Sequence, residues 1–74
     1  MSVARVTEIS STSNKSFEDA IQSGVSRACR TLRNVRSAWV KEQQIRIDKD
    51  TIVEYQVNLM ITFVLDKDNE DNVA

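Results

Sequence analysis

The chain has 74 residues, of which 41% are hydrophobic, and a formal net charge of −1. This balance lacks the basic excess of nucleic-acid-binding domains, and no apolar run is long enough to cross a membrane as a helix. One cysteine and no histidine leave neither an internal disulfide nor a typical zinc site to stabilise so small a core, so we expect self-association.

The first half of the chain predicts a strand followed by a helix. Residues 3–10 are rich in β-branched side chains, as strands are, and residues 11–15 read as a polar loop. Ser16 is the predicted N-cap, because Asp19 three residues later completes a weak capping box. Apolar residues then recur every three or four positions, which predicts an amphipathic helix of about five turns with Asn34 as its C-cap. The members of this stripe are Phe17, Ile21, Val25, Ala28 and Leu32.

In the second half, the apolar period changes to two. Residues 37–47 predict a second strand, residues 48–50 a turn, and residues 51–66 a long third strand. The predicted fold class is therefore α+β, with the order β-α-β-β and a three-stranded antiparallel sheet wrapped around one helix. We expect residues 1–66 to form a single domain and residues 67–74 to form an acidic, disordered tail.

One helix can cover only one face of this sheet. The odd-numbered positions of the third strand are the more apolar, so we expect them to face the helix together with Ala38 and Val40. The other face, called the outer face below, contains an indole and a thioether, which is too apolar for free contact with water and indicates a subunit or ligand contact. The side chains predicted on it are Ser37, Trp39, Lys41, Gln56, Asn58 and Met60.

Three short motifs carry a family resemblance. They are the Thr- and Ser-rich stretch Val6–Ser13, the segment Thr31–Asn34 and the segment Tyr55–Val57. Together they resemble the dodecins, small flavin-binding oligomers, over roughly residues 3–66. The resemblance implies a homododecamer of four trimers around a hollow interior, with flavins stacked in pairs between tryptophans of adjacent trimers.

The resemblance also assigns the candidate binding residues. It matches Gln56 to the glutamine that hydrogen-bonds the edge of the flavin ring, and it matches Ser37 to the position of the flavin-stacking tryptophan. The only tryptophan here is Trp39, two residues later. Residues two apart on a strand share a face at about 6–7 Å, so Trp39 either provides part of the missing stacking surface or anchors a subunit interface. A second departure is Gln44-Ile45, where bacterial dodecins usually carry Arg-Gly.

Flavin, as FMN or riboflavin, is the predicted ligand, and calcium is the alternative, because some relatives without the tryptophan resemble calcium-associated dodecins. The acidic residues around the turn and in the tail lack EF-hand spacing, and a turn and a solvated tail explain them. The arginines of the helix either bind a phosphate group, as FMN or coenzyme A would require, or form a solvated face that complements the helix dipole. They are Arg27, Arg30 and Arg33.

The chain contains no acid–base pair, activated nucleophile or phosphate-binding loop, so we expect no enzymatic activity. Cys29 has no histidine to activate it, and we expect a small buried side chain in a cytoplasmic protein. The predicted function is storage: an aromatic small molecule is sequestered at subunit interfaces, without nucleic-acid or membrane partners. The alternative is a dodecin with a structural or ion-binding role and no flavin.

Overall fold

The computed structural model describes residues 3–65. Its elements are strand β1 (Ala4–Ser13), helix α1 (Phe17–Thr31), strand β2 (Val35–Asp48) and strand β3 (Thr51–Val64). The strands form one antiparallel sheet in the order β1-β3-β2, with α1 packed on one face. The predicted α+β fold with the order β-α-β-β is therefore confirmed.

The domain limits predicted from the sequence are not tested by these elements. The boundary at residue 66 and the acidic segment 67–74 lie outside the described residues, so both stay predictions. Within the described part, no helix has the length and apolar character that spanning a membrane requires.

β1 extends into the predicted polar loop and ends at Ser13, so residues 11–13 are strand rather than loop. Its last residues pair with β3, where Ser13 lies opposite Tyr55. The Ser13 hydroxyl donates to the Asp19 carboxylate at 2.7 Å and accepts the backbone N–H of Lys15 at 2.9 Å. These short polar side chains therefore provide hydrogen bonds both at the end of the strand and in the turn into α1. A loop prediction based on polarity could not show these contacts.

α1 begins where the sequence predicts. The hydroxyl oxygen of Ser16 accepts the backbone N–H of Asp19 at 3.0 Å, which confirms the N-cap. The helix ends at Thr31, about four turns later and one turn short of the prediction. The actual C-cap is Leu32, whose backbone is extended and whose N–H donates to the Ala28 carbonyl at 2.8 Å.

Asn34 is therefore not the C-cap, but it does turn the chain. It has a left-handed φ of 62°, a conformation that asparagine tolerates better than most residues. Its carbonyl accepts the backbone N–H of Val64 at 3.0 Å, which joins the start of β2 to the end of β3. At the other end of this hairpin, Lys49 and Asp50 are both left-handed, as in a two-residue type I′ turn, and the predicted turn is confirmed.

The helix contacts the sheet through a line of small residues. Ala20, Gly24 and Ala28 are four apart, lie on one side of α1 and are buried. They pack against the inward side chains of β3, which are Val57, Leu59 and Ile61. The predicted inward orientation of the odd positions of β3 is thus confirmed.

The centre of the helix face differs from the predicted stripe. Larger members of that stripe, including Phe17, Ile21 and Val25, flank the small residues and are only partly buried. Small side chains occupy the centre because they let the helix axis approach the sheet closely. Cys29 is exposed, so the prediction of a buried thiol is wrong. The residue after Ala28 is rotated by about 100° around the helix, away from the sheet.

Helix and hairpin differ greatly in length. A helix of 15 residues is about 22 Å long, and a strand of 14 residues is about 46 Å long. α1 packs mainly over β1 and β3 and leaves the apolar side chains of β2 and of the hairpin end exposed. These are Val40, Ile45, Ile47, Ile52 and Val53. In a single chain, some apolar side chains that the sequence pattern predicts to be buried therefore stay exposed to solvent.

Gly24 provides a test of this packing. A Cβ atom there would lie 2.9 Å from Leu59 Cδ1 and 3.0 Å from Ser11 Cβ, both closer than normal contact. Gly24→Ala improves helix propensity by about 1 kcal/mol, but overpacking costs about 1–3 kcal/mol. We expect a net loss of stability, measured as a lower thermal midpoint at fixed protein concentration.

The matched control is Ser23→Ala, one residue earlier on the exposed side of α1. It also improves helix propensity but adds no atom near the sheet, so its midpoint should stay the same or rise slightly. A Gly24→Ala protein more stable than the Ser23→Ala protein would contradict the close packing described here.

Candidate functional site

The outer face of the sheet brings the two candidate stacking positions together. Ser37 pairs with Thr62 of β3, and Trp39 pairs with Met60. Because directly opposed residues in an antiparallel sheet share a face, Ser37 and Trp39 both point outward, as predicted. Trp39 is 52% exposed, so its indole and the neighbouring Met60 are available to a ring or to another subunit.

Gln56 lies on the same face but further along the sheet. It is flanked by Gln44 on β2 and Thr12 on β1. It lies four positions before Met60, the partner of Trp39, which corresponds to about 13 Å along β3. Within one chain, Ser37, Trp39 and Gln56 therefore share a face, but they do not form a single contact region.

A register shift between Val40 and Glu42 separates these two regions, and Lys41 is the extra residue of this β-bulge. The Lys41 ammonium points to the outer face, as predicted, and lies 3.2 Å from the Glu8 carboxylate of β1. Bulges bend a strand and re-aim its side chains. Across the bulge, the inward apolar positions of β2 change from even-numbered (Val40) to odd-numbered (Ile45), a change of phase that the prediction of one regular strand over residues 37–47 overlooked.

A chain of polar contacts runs across all three strands of the outer face. The Glu8 carboxylate accepts from Lys41 Nζ at 3.2 Å and from Asn58 Nδ2 at 3.3 Å. Asn58 Oδ1 in turn accepts from Gln56 Nε2 at 3.3 Å. Sequence reasoning did not single out Glu8, since its place beside Asn58 depends on the register between β1 and β3, which no local signal specifies.

Gln56 borders a shallow polar recess of about 170 Å³. Its lining includes Gln44 and the exposed ion pair of Arg46 and Glu54, whose Nε and Oε1 atoms are 3.4 Å apart. Sites that enclose whole small molecules measure about 300–1,000 Å³. The recess can therefore hold the hydrogen-bonding edge of a ring, but not the whole molecule.

A separate groove lies between β1 and α1, with a volume of about 490 Å³. Hydroxyl groups and Arg27 line it, and it includes none of the predicted binding residues Ser37, Trp39 and Gln56. In residues 3–65, no three His, Cys, Asp or Glu side chains are grouped closely enough to hold a metal ion.

The family model of the dodecins matches residues 3–66. The chain belongs to the dodecin family. It is thus a small binding protein rather than an enzyme, and family membership implies dodecameric self-association. No curated protein matches the chain.

Solved structures agree with this assignment. The dodecin from Streptomyces davaonensis is 34% identical, with a TM-score of 0.83 over 88% of this chain and 96% of that one. A protein from Thermus thermophilus is 36% identical, with a TM-score of 0.83 over 89% and 97%. The calcium dodecin from Mycobacterium tuberculosis, described as calcium-chelating with a novel calcium-binding site, is 34% identical, with a TM-score of 0.74 over 84% and 89%.

Proposed function

We propose that this dodecin stores an aromatic small molecule, with flavin (FMN or riboflavin) as the best candidate, at the interfaces of a homododecamer. The observation that carries the proposal is the outer face, where the exposed Trp39 and the half-buried Met60 share one surface with the amide of Gln56. A cytoplasmic location is part of the proposal and rests on the unpaired, exposed thiol of Cys29.

The site requires more than one copy of the chain. A separation of about 13 Å along β3 makes it difficult for a ring centred on Trp39 to reach Gln56 of the same chain. The uncovered outer face can instead oppose the same face of a neighbour in a symmetric assembly. In our proposal, Trp39 of one chain stacks on the ring while Gln56 of another chain binds its edge.

Ser37 weakens this site. Stacking on an aromatic side chain contributes about 1–3 kcal/mol, by analogy with nucleic-acid bases, and a serine at the family position contributes none of it. Trp39 lies one pleat away, about 6–7 Å along the strand, and can replace only part of that surface. We therefore propose flavin binding that is weaker than in dodecins with a tryptophan at the position of Ser37.

Calcium binding is the second candidate, supported by the similarity to the calcium dodecin of Mycobacterium tuberculosis. The described residues of one chain group no three His, Cys, Asp or Glu side chains, so a calcium site with several carboxylates would draw them from several subunits or from residues beyond 3–65. In that case the protein would have a structural or ion-binding role without flavin.

Assembly is the first property to measure. A single chain leaves both the outer face and the end of the β2–β3 hairpin uncovered, so burial between copies should stabilise the fold. We expect a species of about twelve chains in sedimentation velocity at micromolar protein, as the dodecin family implies. A stable monomer under these conditions would contradict the proposed site, which needs a second copy.

Flavin fluorescence tests the ligand directly, because an indole stacked on the ring quenches its emission. We expect partial quenching of riboflavin at high micromolar protein and little at nanomolar protein. Trp39→Phe keeps an aromatic side chain and should reduce the quenching, which a purely structural Trp39 would not do. Unchanged emission at high protein concentration would favour the calcium alternative.

Ser37→Trp tests the register of the site. It places an indole at the family position, opposite Thr62 on the outer face, and should raise riboflavin affinity at least tenfold, or about 1.4 kcal/mol. The double variant Ser37→Trp with Trp39→Ala should bind more tightly still, because two adjacent indoles crowd one site. Adding Gln56→Ala should lower the affinity again, since it removes the hydrogen bonds to the ring edge.

The control is Val6→Trp. Val6 also lies opposite Thr62 on the outer face, but on β1 rather than β2, so an indole there should not raise the affinity. If Ser37→Trp assembles normally and gains no affinity over Val6→Trp, flavin storage is not the function of this protein.

A further inference from the structure

In the polar chain on the outer face, the carboxylate of Glu8 determines which group donates and which accepts in each hydrogen bond. An ionised carboxylate can only accept hydrogen bonds, so Asn58 must turn its NH₂ group toward Glu8, which it does at 3.3 Å. The carbonyl of Asn58 then faces Gln56 and accepts its NH₂ group, also at 3.3 Å. One carboxylate thereby determines the orientation of two side-chain amides in sequence.

Lys41 holds the start of this chain in place. Its ammonium lies 3.2 Å from Glu8 Oε1, while Glu8 Oε2 receives Asn58. The β-bulge aims Lys41 at β1 across β3, so residues from all three strands take part. The polar chain ends at Gln56, whose NH₂ group donates to Asn58. Within the described residues, the carbonyl oxygen of Gln56 has no protein partner.

We propose that Lys41, Glu8 and Asn58 are positioning residues that fix the amide of Gln56, so that the site selects rings whose edge presents an N–H donor. This inference rests on the proposed function, because it concerns the same ligand site. Asn58 accepts one N–H of the Gln56 amide. Gln56 therefore offers the ligand its carbonyl oxygen as an acceptor and its second N–H as a donor. The complementary edge is an imide, an N–H flanked by carbonyl groups, as in the pyrimidine ring of a flavin.

The test compares lumiflavin with 3-methyllumiflavin, in which a methyl group replaces the imide hydrogen. The wild-type protein should bind lumiflavin at least about tenfold more tightly, because the fixed Gln56 carbonyl meets a methyl group instead of a donor. In Glu8→Gln, an amide replaces the carboxylate and can either donate or accept. Asn58 and Gln56 can then reverse, and the affinity ratio should fall to threefold or less.

A second substitution should restore the selectivity. In the double variant Glu8→Gln with Asn58→Asp, position 58 becomes the acceptor-only group, which can receive both Gln56 and the new amide at position 8. The tenfold ratio should return. The control Glu42→Gln removes a carboxylate from the same face, opposite Asn58 but outside the polar chain, and should leave the ratio unchanged. Equal ratios in wild type and Glu8→Gln, or no recovery in the double variant, would overturn the proposal.

A ligand-free measurement separates this proposal from the proposed function. In protein labelled with ¹⁵N-glutamine, the side-chain NH₂ group of Gln56 should be ordered, with an order parameter near 0.8, and that of its neighbour Gln44 mobile, below about 0.6. Glu8→Gln should lower the value for Gln56, and the double variant should restore it. A mobile Gln56 in the wild type would overturn the inference, whereas an ordered Gln56 without lumiflavin binding would overturn only the flavin function.

Discussion

The structure depends on one constraint: a single helix of 15 residues must cover a sheet whose longest strands have 14 residues and are about twice as long as the helix. α1 covers one face over roughly half of that length, and it does so closely because Ala20, Gly24 and Ala28 place little between its axis and β3. Everything that α1 does not cover, namely the outer face and the end of the β2–β3 hairpin, is left for other copies of the chain or for a ligand.

The uncovered outer face combines two kinds of surface. Near the bulge, Trp39 and Met60 offer polarizable, apolar contact, while further along β3 the amide of Gln56 offers directional hydrogen bonds. Neither part alone encloses a molecule, since the recess at Gln56 holds only about 170 Å³. In our proposal, binding at this face therefore depends on assembly.

Much of this arrangement could be predicted from the sequence. The spacing of apolar residues and the Ser16 cap identify the helix, and the two-residue period identifies the hairpin. The alternation of side chains along β2 and β3 assigns Ser37, Trp39 and Gln56 to one face. The distances between them could not be predicted, because they depend on cross-strand register. The bulge at Lys41 shows in the sequence only as a change of apolar phase between Val40 and Ile45. The contact of Glu8 with Asn58 depends on pairing between distant segments, and the exposure of Cys29 depends on which side of α1 faces the sheet.

Subunit complementation tests the central claim, that one ligand site draws on two copies of the chain. Trp39→Ala and Gln56→Ala each damage every site in a uniform assembly. When equal amounts are dissociated, mixed and reassembled, a site that takes Trp39 from one chain and Gln56 from another is intact in about a quarter of cases. The account predicts recovery of riboflavin quenching to about that fraction of wild type. No recovery in mixed assemblies of normal size would contradict it.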